Sequence, residues 1–219
     1  SLRTRLNHMQ RYQDVRTVFV TSPSPAEGKS FTAANLALAQ AHMADNPTIL
    51  IDFDFRRPTI HRLLQFDRTP GMTDFLLGKA SLSQVIKKIQ GANLYVIPAG
   101  SSVKNPLELL NLREVRTMLT EIRDIFNWVV LDTPPLLFSA DSNLLTTMAD
   151  GTVLLVGIGP TTIDTVTRAV QSLCENNVLG IVANGARAGE LYSRYSYYYS
   201  RRDAEDEDED EPVADETPR

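Results

Sequence analysis

Short runs of β-branched and aliphatic residues alternate along this chain with segments of helical periodicity. Most of the runs are continuously apolar, which is typical of strands buried on both faces of a parallel sheet. We therefore predict an α/β fold: a doubly wound, mostly parallel sheet with helices on both faces. The predicted strands are Thr17–Thr21, Thr48–Asp52, Leu94–Pro98, Trp128–Asp132, Thr152–Val156 and Leu179–Ala183, and the predicted helices are Ser30–Met43, Leu82–Ile89, Pro106–Phe126, Ser142–Met148 and Ile163–Glu175.

A Gly-Lys-Ser triplet joins the first predicted strand to the first predicted helix. In such a loop, backbone N–H groups at the start of the helix point at a phosphate, and the helix dipole favours its negative charge. Gly28 lets the backbone approach closely, Lys29 reaches the β- and γ-phosphates, and the Ser30 hydroxyl can bind Mg²⁺. The sequence therefore predicts a phosphate loop that binds ATP and Mg²⁺ through Glu27, Gly28, Lys29, Ser30 and Phe31.

The match to the full phosphate-loop pattern is imperfect. Pro23 stands where G-x-x-x-x-G-K-[ST] has its first glycine. Ser24 stands where the partition-type ATPases carry a second lysine. The second difference argues against a partition or positioning ATPase, which has the same fold and only hydrolyses ATP.

Carboxylates follow two of the predicted strands. Asp52 and Asp54 end the strand TILID, and Asp132 ends the strand WVVLD. Ligands of doubly wound folds bind at the carboxyl ends of the strands, so these groups are expected beside the phosphate loop. Carboxylates there can hold Mg²⁺ and accept a hydroxyl proton. The predicted catalytic residues are Lys29, Asp52, Asp54 and Asp132, and the predicted metal ligands are Ser30, Asp54 and Asp132.

The end of the chain differs from the rest in composition. Residues 203–219 hold ten acids and one base, whereas the remainder holds 21 bases and 17 acids. We predict an ATP-binding domain over residues 1–187 and a flexible tail over 188–219. Acidic runs are usually solvated and disordered, but a basic body with an acidic tail also indicates docking of that tail. The tail contains a cluster of five tyrosines, Tyr192, Tyr195, Tyr197, Tyr198 and Tyr199.

These residues resemble one family, the bacterial tyrosine autokinases that control capsule and exopolysaccharide synthesis. The resemblance covers about residues 2 to 202. It rests on TSPSPAEGKS at Thr21–Ser30, LIDFDFRRP at Leu50–Pro58, LDTPP at Leu131–Pro135 and the tyrosine cluster, together with shorter matches such as PGMTDFLLG at Pro70–Gly78. The combination of D-x-D-x-R-x-P, D-T-P-P and a terminal tyrosine cluster is specific to that family among phosphate-loop proteins.

The resemblance implies an ATP-dependent protein-tyrosine kinase whose five clustered tyrosines are autophosphorylation sites. Lys29 and Ser30 would be the Walker A pair, Asp52 and Asp54 the second motif with the base, and Asp132 the Walker B acid. It implies a ring-shaped homo-oligomer, a transmembrane polysaccharide co-polymerase that is fused or separate and acts as activator, and a protein-tyrosine phosphatase, but no nucleic acid. It implies a cytoplasmic site at the inner face of the membrane.

Two departures from the family pattern bear on activity. Ala26 stands where the family usually has glycine, and alanine costs about 1 kcal/mol if this position requires a positive φ. Arg3 matches only the last residue of the family's E-x-x-R-x-x-R oligomerisation motif. A catalytically weak nucleotide-binding scaffold of the polysaccharide machinery therefore stays an alternative, as does a partition-type switch ATPase.

Overall fold

The computed structural model describes residues 1–110, 112–173 and 178–185. Ser1–Asn184 forms one compact unit built around a sheet of seven strands. The strands in chain order are β1 Thr17–Thr21, β2 Thr48–Asp52, β3 Lys87–Lys88, β4 Leu94–Ile97, β5 Trp128–Asp132, β6 Gly151–Gly157 and β7 Val178–Asn184. Their order in the sheet is β3-β4-β2-β5-β1-β6-β7, and every pairing is parallel except that of β3 with β4.

Helices connect the strands and cover both faces of the sheet. No helix in the described residues is long and apolar enough to cross a membrane. The helices are α1 Leu2–Gln13, α2 Lys29–Ala41, α3 Ile60–Leu63, α4 Met72–Leu76, α5 Leu82–Val85, α6 Pro106–Leu109, α7 Leu112–Ile125, α8 Ala140–Thr146 and α9 Ile163–Ser172, and a 3-10 turn spans Leu136–Phe138.

Each central strand contributes alternate residues to two separate cores. In β1, Val18 and Val20 belong to the core beneath α1 and α2, whereas Phe19 belongs to the core on the opposite face. All three are fully buried. The period of two residues along a strand produces this division, and it explains why the strands are apolar throughout. The predicted fold class is therefore confirmed.

Tertiary contacts change some of the predicted helices. The second half of the predicted helix Leu82–Ile89 is wrong, because Lys87 and Lys88 pair with Val96 and Tyr95 as an antiparallel edge strand. The predicted helix Pro106–Phe126 is two helices, α6 and α7. Helices α1, α3 and α4 were not predicted, and α3 and α4 are only four and five residues long.

Candidate active site

A cavity of about 530 Å³ opens at the carboxyl ends of the central strands. The loop before α2 forms one wall, and the residues that follow β2 and β5 form the others. Phe31 and Phe138 lie at its mouth and are 63% and 66% exposed. The sheet order explains this convergence, since β1 lies beside β5 and β5 lies beside β2.

The loop before α2 contains two residues with a positive φ, Ala26 and Gly28. Gly28 is the N-cap of α2 at φ 91°, and a Cβ there would collide with the side-chain amide of Asn184. Ala26 has φ 65°, a left-handed conformation that costs an alanine about 1 kcal/mol. Ala26 therefore does adopt the positive φ for which the glycine usual in the family is better suited.

The side chain of Glu27 fastens this loop to the rest of the sheet. It is buried, and it is not among the residues that line the cavity. One carboxylate oxygen accepts the Ser24 N–H at 2.7 Å, and the other accepts the Gly157 N–H at 3.1 Å and the Thr161 hydroxyl. The carbonyl oxygen of Glu27 accepts a hydrogen bond from Asn184 at 2.8 Å. Sequence reasoning missed these partners at the ends of β6 and β7.

Lys29 is the cation at the base of the cavity. Its amine lies 2.8 Å from an Asp54 oxygen, 3.2 Å from the Ser30 hydroxyl and 3.9 Å from an Asp132 oxygen. Burial lowers the pKa of Lys29, but the Asp132 and Asp54 charges raise it by more, and the net pKa is above its usual value. The amine is therefore held as a charged donor where several strands end.

The two carboxylates after β2 have different surroundings. Asp54 borders the cavity, and its other oxygen accepts the Arg57 N–H at 3.0 Å. Asp52 lies behind it, fully buried, and accepts the N–H groups of Asp54 at 3.0 Å and Ile60 at 3.3 Å. Burial and the charges of Asp132 and Asp54 raise the pKa of Asp52 well above its usual range.

Asp132 is the least satisfied polar group of the site. It is fully buried, and neither carboxylate oxygen has a hydrogen-bond partner. Burial raises its pKa to about 6, although the Lys29 charge acts to lower it. Buried polar atoms are normally paired, and exceptions are concentrated at sites that bind ions or do chemistry.

Hard oxygen donors of this kind fit Mg²⁺, which usually takes one or two carboxylates and completes its shell with water and phosphate oxygens. The described residues contain no group of three or more His, Cys, Asp or Glu side chains arranged around a metal position. Tyr192, Tyr195, Tyr197, Tyr198 and Tyr199 lie outside the described residues.

Comparisons with known proteins agree with this geometry. A family model described as an AAA domain matches residues 24–175. The tyrosine-protein kinase YwqD of Bacillus subtilis is 34% identical over 200 residues, which are 90% of this chain and 84% of that protein. The chain belongs to the bacterial tyrosine-protein kinase family. The identification made from the sequence motifs is therefore confirmed.

Another member of the family is longer. The Escherichia coli tyrosine-protein kinase etk is 31% identical over 88% of this chain, which spans 27% of etk. The solved kinase domain of this protein has a TM-score of 0.80 at 29% identity, and the match covers 84% of this chain and 72% of that one. The MinC:MinD complex of Aquifex aeolicus matches with a TM-score of 0.69 at 18% identity, covering 82% of this chain and 72% of that one, and shows the fold alone.

Proposed function

We propose that this tyrosine-kinase domain uses Mg-ATP to phosphorylate the tyrosine cluster Tyr192–Tyr199 of another copy of the same chain. One observation carries the proposal: Lys29, Ser30 and Asp54 line one cavity, and the buried Asp132 lies 3.9 Å from the Lys29 amine. This set combines a cation for phosphate, hydroxyl and carboxylate oxygens for Mg²⁺, and a carboxylate for a hydroxyl proton.

Each part of the cavity has a distinct task in the proposed reaction. The loop N–H groups and Lys29 hold the β- and γ-phosphates, and Lys29 exchanges its Asp54 partner for phosphate oxygen. Ser30, Asp54 and Asp132 are the residues that would hold Mg²⁺, which supplies charge neutralisation on the phosphates. Glu27 keeps the loop in shape from behind. These are the roles that the sequence predicts for Lys29, Ser30, Asp54 and Asp132, while Glu27 supports the nucleotide site indirectly.

The proton of the tyrosine hydroxyl goes to one of the two carboxylates after β2. The tyrosine oxygen forms a bond to the γ-phosphorus, and the bond between that phosphorus and the bridging oxygen of the departing ADP breaks. Asp54 borders the cavity, which favours direct contact with the hydroxyl. Asp52 has the raised pKa that suits a base, but it lies behind Asp54. The pH profiles of Asp52→Asn and Asp54→Asn distinguish them, because only loss of the base removes the rise in rate with pH.

The direction of approach favours transfer between copies. β7 ends at Asn184, and Tyr192 and Tyr199 follow eight and fifteen residues later, a reach of about 26 Å and about 50 Å when extended. β7 is an edge strand, and β6, β1 and β5 separate it from β2, which carries Asp54 at its end. A tyrosine of the same copy would have to cross these strands and arrive in line with the phosphate, whereas a second copy has no such restriction.

Mixing two forms of the chain tests this proposal. The acceptor carries Lys29→Met with an intact tail, and Asp132→Asn serves as a second acceptor in case the first folds poorly. The enzyme keeps an intact site and has all five clustered tyrosines changed to Phe. We expect phosphotyrosine on the acceptor, formed faster as the protein concentration rises. An unlabelled acceptor, with wild-type labelling that is independent of dilution, would show transfer within one copy.

The same assay separates the kinase from the two alternatives. A partition-type switch would hydrolyse ATP without forming phosphotyrosine, and a scaffold would bind ATP without turnover. As further parts of the proposal, the kinase forms a ring of copies and binds a transmembrane polysaccharide co-polymerase at the inner face of the membrane. A protein-tyrosine phosphatase removes the phosphate from its tyrosines. Its phosphorylation state would regulate capsule or exopolysaccharide synthesis. The proposal also includes ATP and Mg²⁺ as the cofactors and a boundary between the kinase domain and the tail near residue 187.

A further inference from the structure

A strongly basic segment borders the cavity on the side of β2. Residues 55–66 carry three arginines, Arg56, Arg57 and Arg62, and no acid. All three are exposed, and Arg56 and Arg57 line the cavity. We call these three residues the basic rim.

The acid that precedes the basic rim does not neutralise it. Asp54 is buried, and its charge is taken up by Lys29 at 2.8 Å. In the part of the chain that the structure describes, neither Arg57 nor Arg62 forms an ion pair. The pKa of His61 is lowered, mainly by burial and further by the charges of Arg68 and Arg62. Arg57 therefore presents positive charge at the cavity, and Arg62 adds positive charge on the same segment.

The only long run of acids in the sequence lies close to the proposed phosphorylation sites. Residues 203–211 contain eight acids, and Asp203 is the fourth residue after Tyr199, with Arg201 and Arg202 between them. An extended chain spans about 3.3 Å per residue, so the acids begin about 13 Å beyond Tyr199 but about 36 Å beyond Tyr192. When Tyr199 enters the cavity, the acidic run is therefore within reach of arginines that line the same cavity.

We propose that the basic rim binds the acidic segment 203–211 of a second copy and so selects tyrosines that are followed closely by acids. The inference rests on the proposed kinase function and adds a recognition element to it. The charges are complementary, since residues 203–219 hold ten acids and one base while the rest of the chain holds more bases than acids. Such pairs guide encounter and register more than they add affinity. The tyrosines nearest the acids, Tyr197–Tyr199, should be labelled before Tyr192.

A double-mutant cycle on full-length chains tests the proposal. The enzyme has Phe at the five clustered tyrosines and Asn or Gln at the eight acids of 203–211, so that its own acids cannot occupy its rim. The acceptor is the Lys29→Met or Asp132→Asn chain with either the native acids or the same neutral replacements. Phosphotyrosine formation is measured at 50 mM and 500 mM NaCl, using enzymes with and without Arg57→Gln. Arg11→Gln is the matched control, because Arg11 is exposed in the last turn of α1. This turn precedes the amino end of β1, whereas the cavity lies at the carboxyl ends of the strands.

Neutralising the acceptor's acids should lower kcat/KM about fivefold at low salt, the effect of a few exposed ion pairs. Arg57→Gln should lower the logarithm of kcat/KM for the native acceptor by about half as much, and should lower kcat/KM less for the neutral acceptor than for the native one. Both effects should shrink at 500 mM NaCl, where screening is stronger. The enzyme with Arg11→Gln should have the same ratio of kcat/KM between the native and the neutral acceptor as the unsubstituted enzyme.

Three results would overturn the proposal. The first is equal labelling of both acceptors. The second is a loss from Arg57→Gln that is the same for both acceptors. The third is a difference between the two acceptors that is as large at 500 mM NaCl as at 50 mM, because a contact between exposed charges must weaken when it is screened. All three require that phosphotyrosine forms, whereas failure of the kinase function itself would leave every acceptor unlabelled.

Discussion

Replacing Asp132 with Asn should stabilise the nucleotide-free protein while abolishing its kinase activity. Asp132 is fully buried without a hydrogen-bond partner, and Asn has nearly the same size and shape but no charge. The substitution therefore removes the cost of burying a charge and leaves the packing of β5 almost unchanged. It also removes an oxygen ligand proposed for Mg²⁺, so activity and stability should change in opposite directions.

The size of the stabilisation follows from the pKa of Asp132. Its folded value of about 6 lies above the reference of 3.8, mainly because of burial. A carboxylate with a raised folded pKa binds its proton more tightly in the folded state, so its contribution to stability is present at low pH and is lost as the pH rises through about 6. The difference of about two units corresponds to about 3 kcal/mol. Asp132→Asn should thus exceed the wild type by up to about 3 kcal/mol at pH 7.5 and by little at pH 4.

Urea unfolding in EDTA at several pH values between 4 and 7.5 measures this effect. The informative quantity is the difference between variant and wild type, in which the titration of groups far from Asp132 cancels. The titration of Asp52 contributes to this difference, because the Asp132 charge raises the pKa of Asp52. Asp124→Asn is the matched control, since Asp124 is an exposed acid on α7. Addition of Mg-ATP should then stabilise the wild type more than Asp132→Asn. A difference that does not vary with pH, or a variant less stable than wild type at pH 7.5, would refute the reasoning.

Three further substitutions probe the phosphate loop. Lys29→Met should lose ATP binding and phosphotyrosine formation together, and wild-type values for both would rule out the assigned site. Glu27→Gln should raise KM for ATP, because an amide cannot accept hydrogen bonds from donors on both sides. Glu27→Asp should also raise KM for ATP, because its shorter side chain cannot reach Gly157. An unchanged KM for ATP in both variants would exclude this role of Glu27. Ala26→Gly should raise the free energy of unfolding by about 1 kcal/mol through relief of the positive φ, a gain that urea denaturation would detect or exclude.

Much of the fold could be predicted because the strands are apolar on both faces. β1, β2 and β5 have the predicted bounds, since continuous apolar runs that begin and end in polar residues leave little freedom. Lys87–Lys88 could not be predicted as a strand, because its partner Tyr95–Val96 supplies the hydrogen bonds and the local sequence continues a helical pattern. The short helices α3 and α4 contain too few residues for a periodic signal.

The candidate site could be predicted as a set of residues but not as an arrangement. Motif spacing indicates that Lys29, Asp54 and Asp132 lie at neighbouring strand ends. It does not show that Asp54 accepts a hydrogen bond from the Lys29 amine while Asp132, 3.9 Å from the same amine, has no hydrogen-bond partner. That division depends on distances between β2, β5 and the start of α2, which are set by packing. The inward orientation of Glu27 likewise depends on Gly157 and Thr161, over a hundred residues away in sequence.

The arrangement suggests why the site combines instability with function. Three buried carboxylates, Asp52, Asp54 and Asp132, surround a single amine, so charge is only partly balanced. A fully paired site would be more stable, but its oxygens would be engaged and could not exchange partners for a cation. In the proposed function, Mg-ATP would offset the cost by giving Asp132 a metal ion as a partner and Lys29 a phosphate. Replacement of any one carboxylate therefore tests a compromise between folding and catalysis, in which the most stable variant is expected to be the least active.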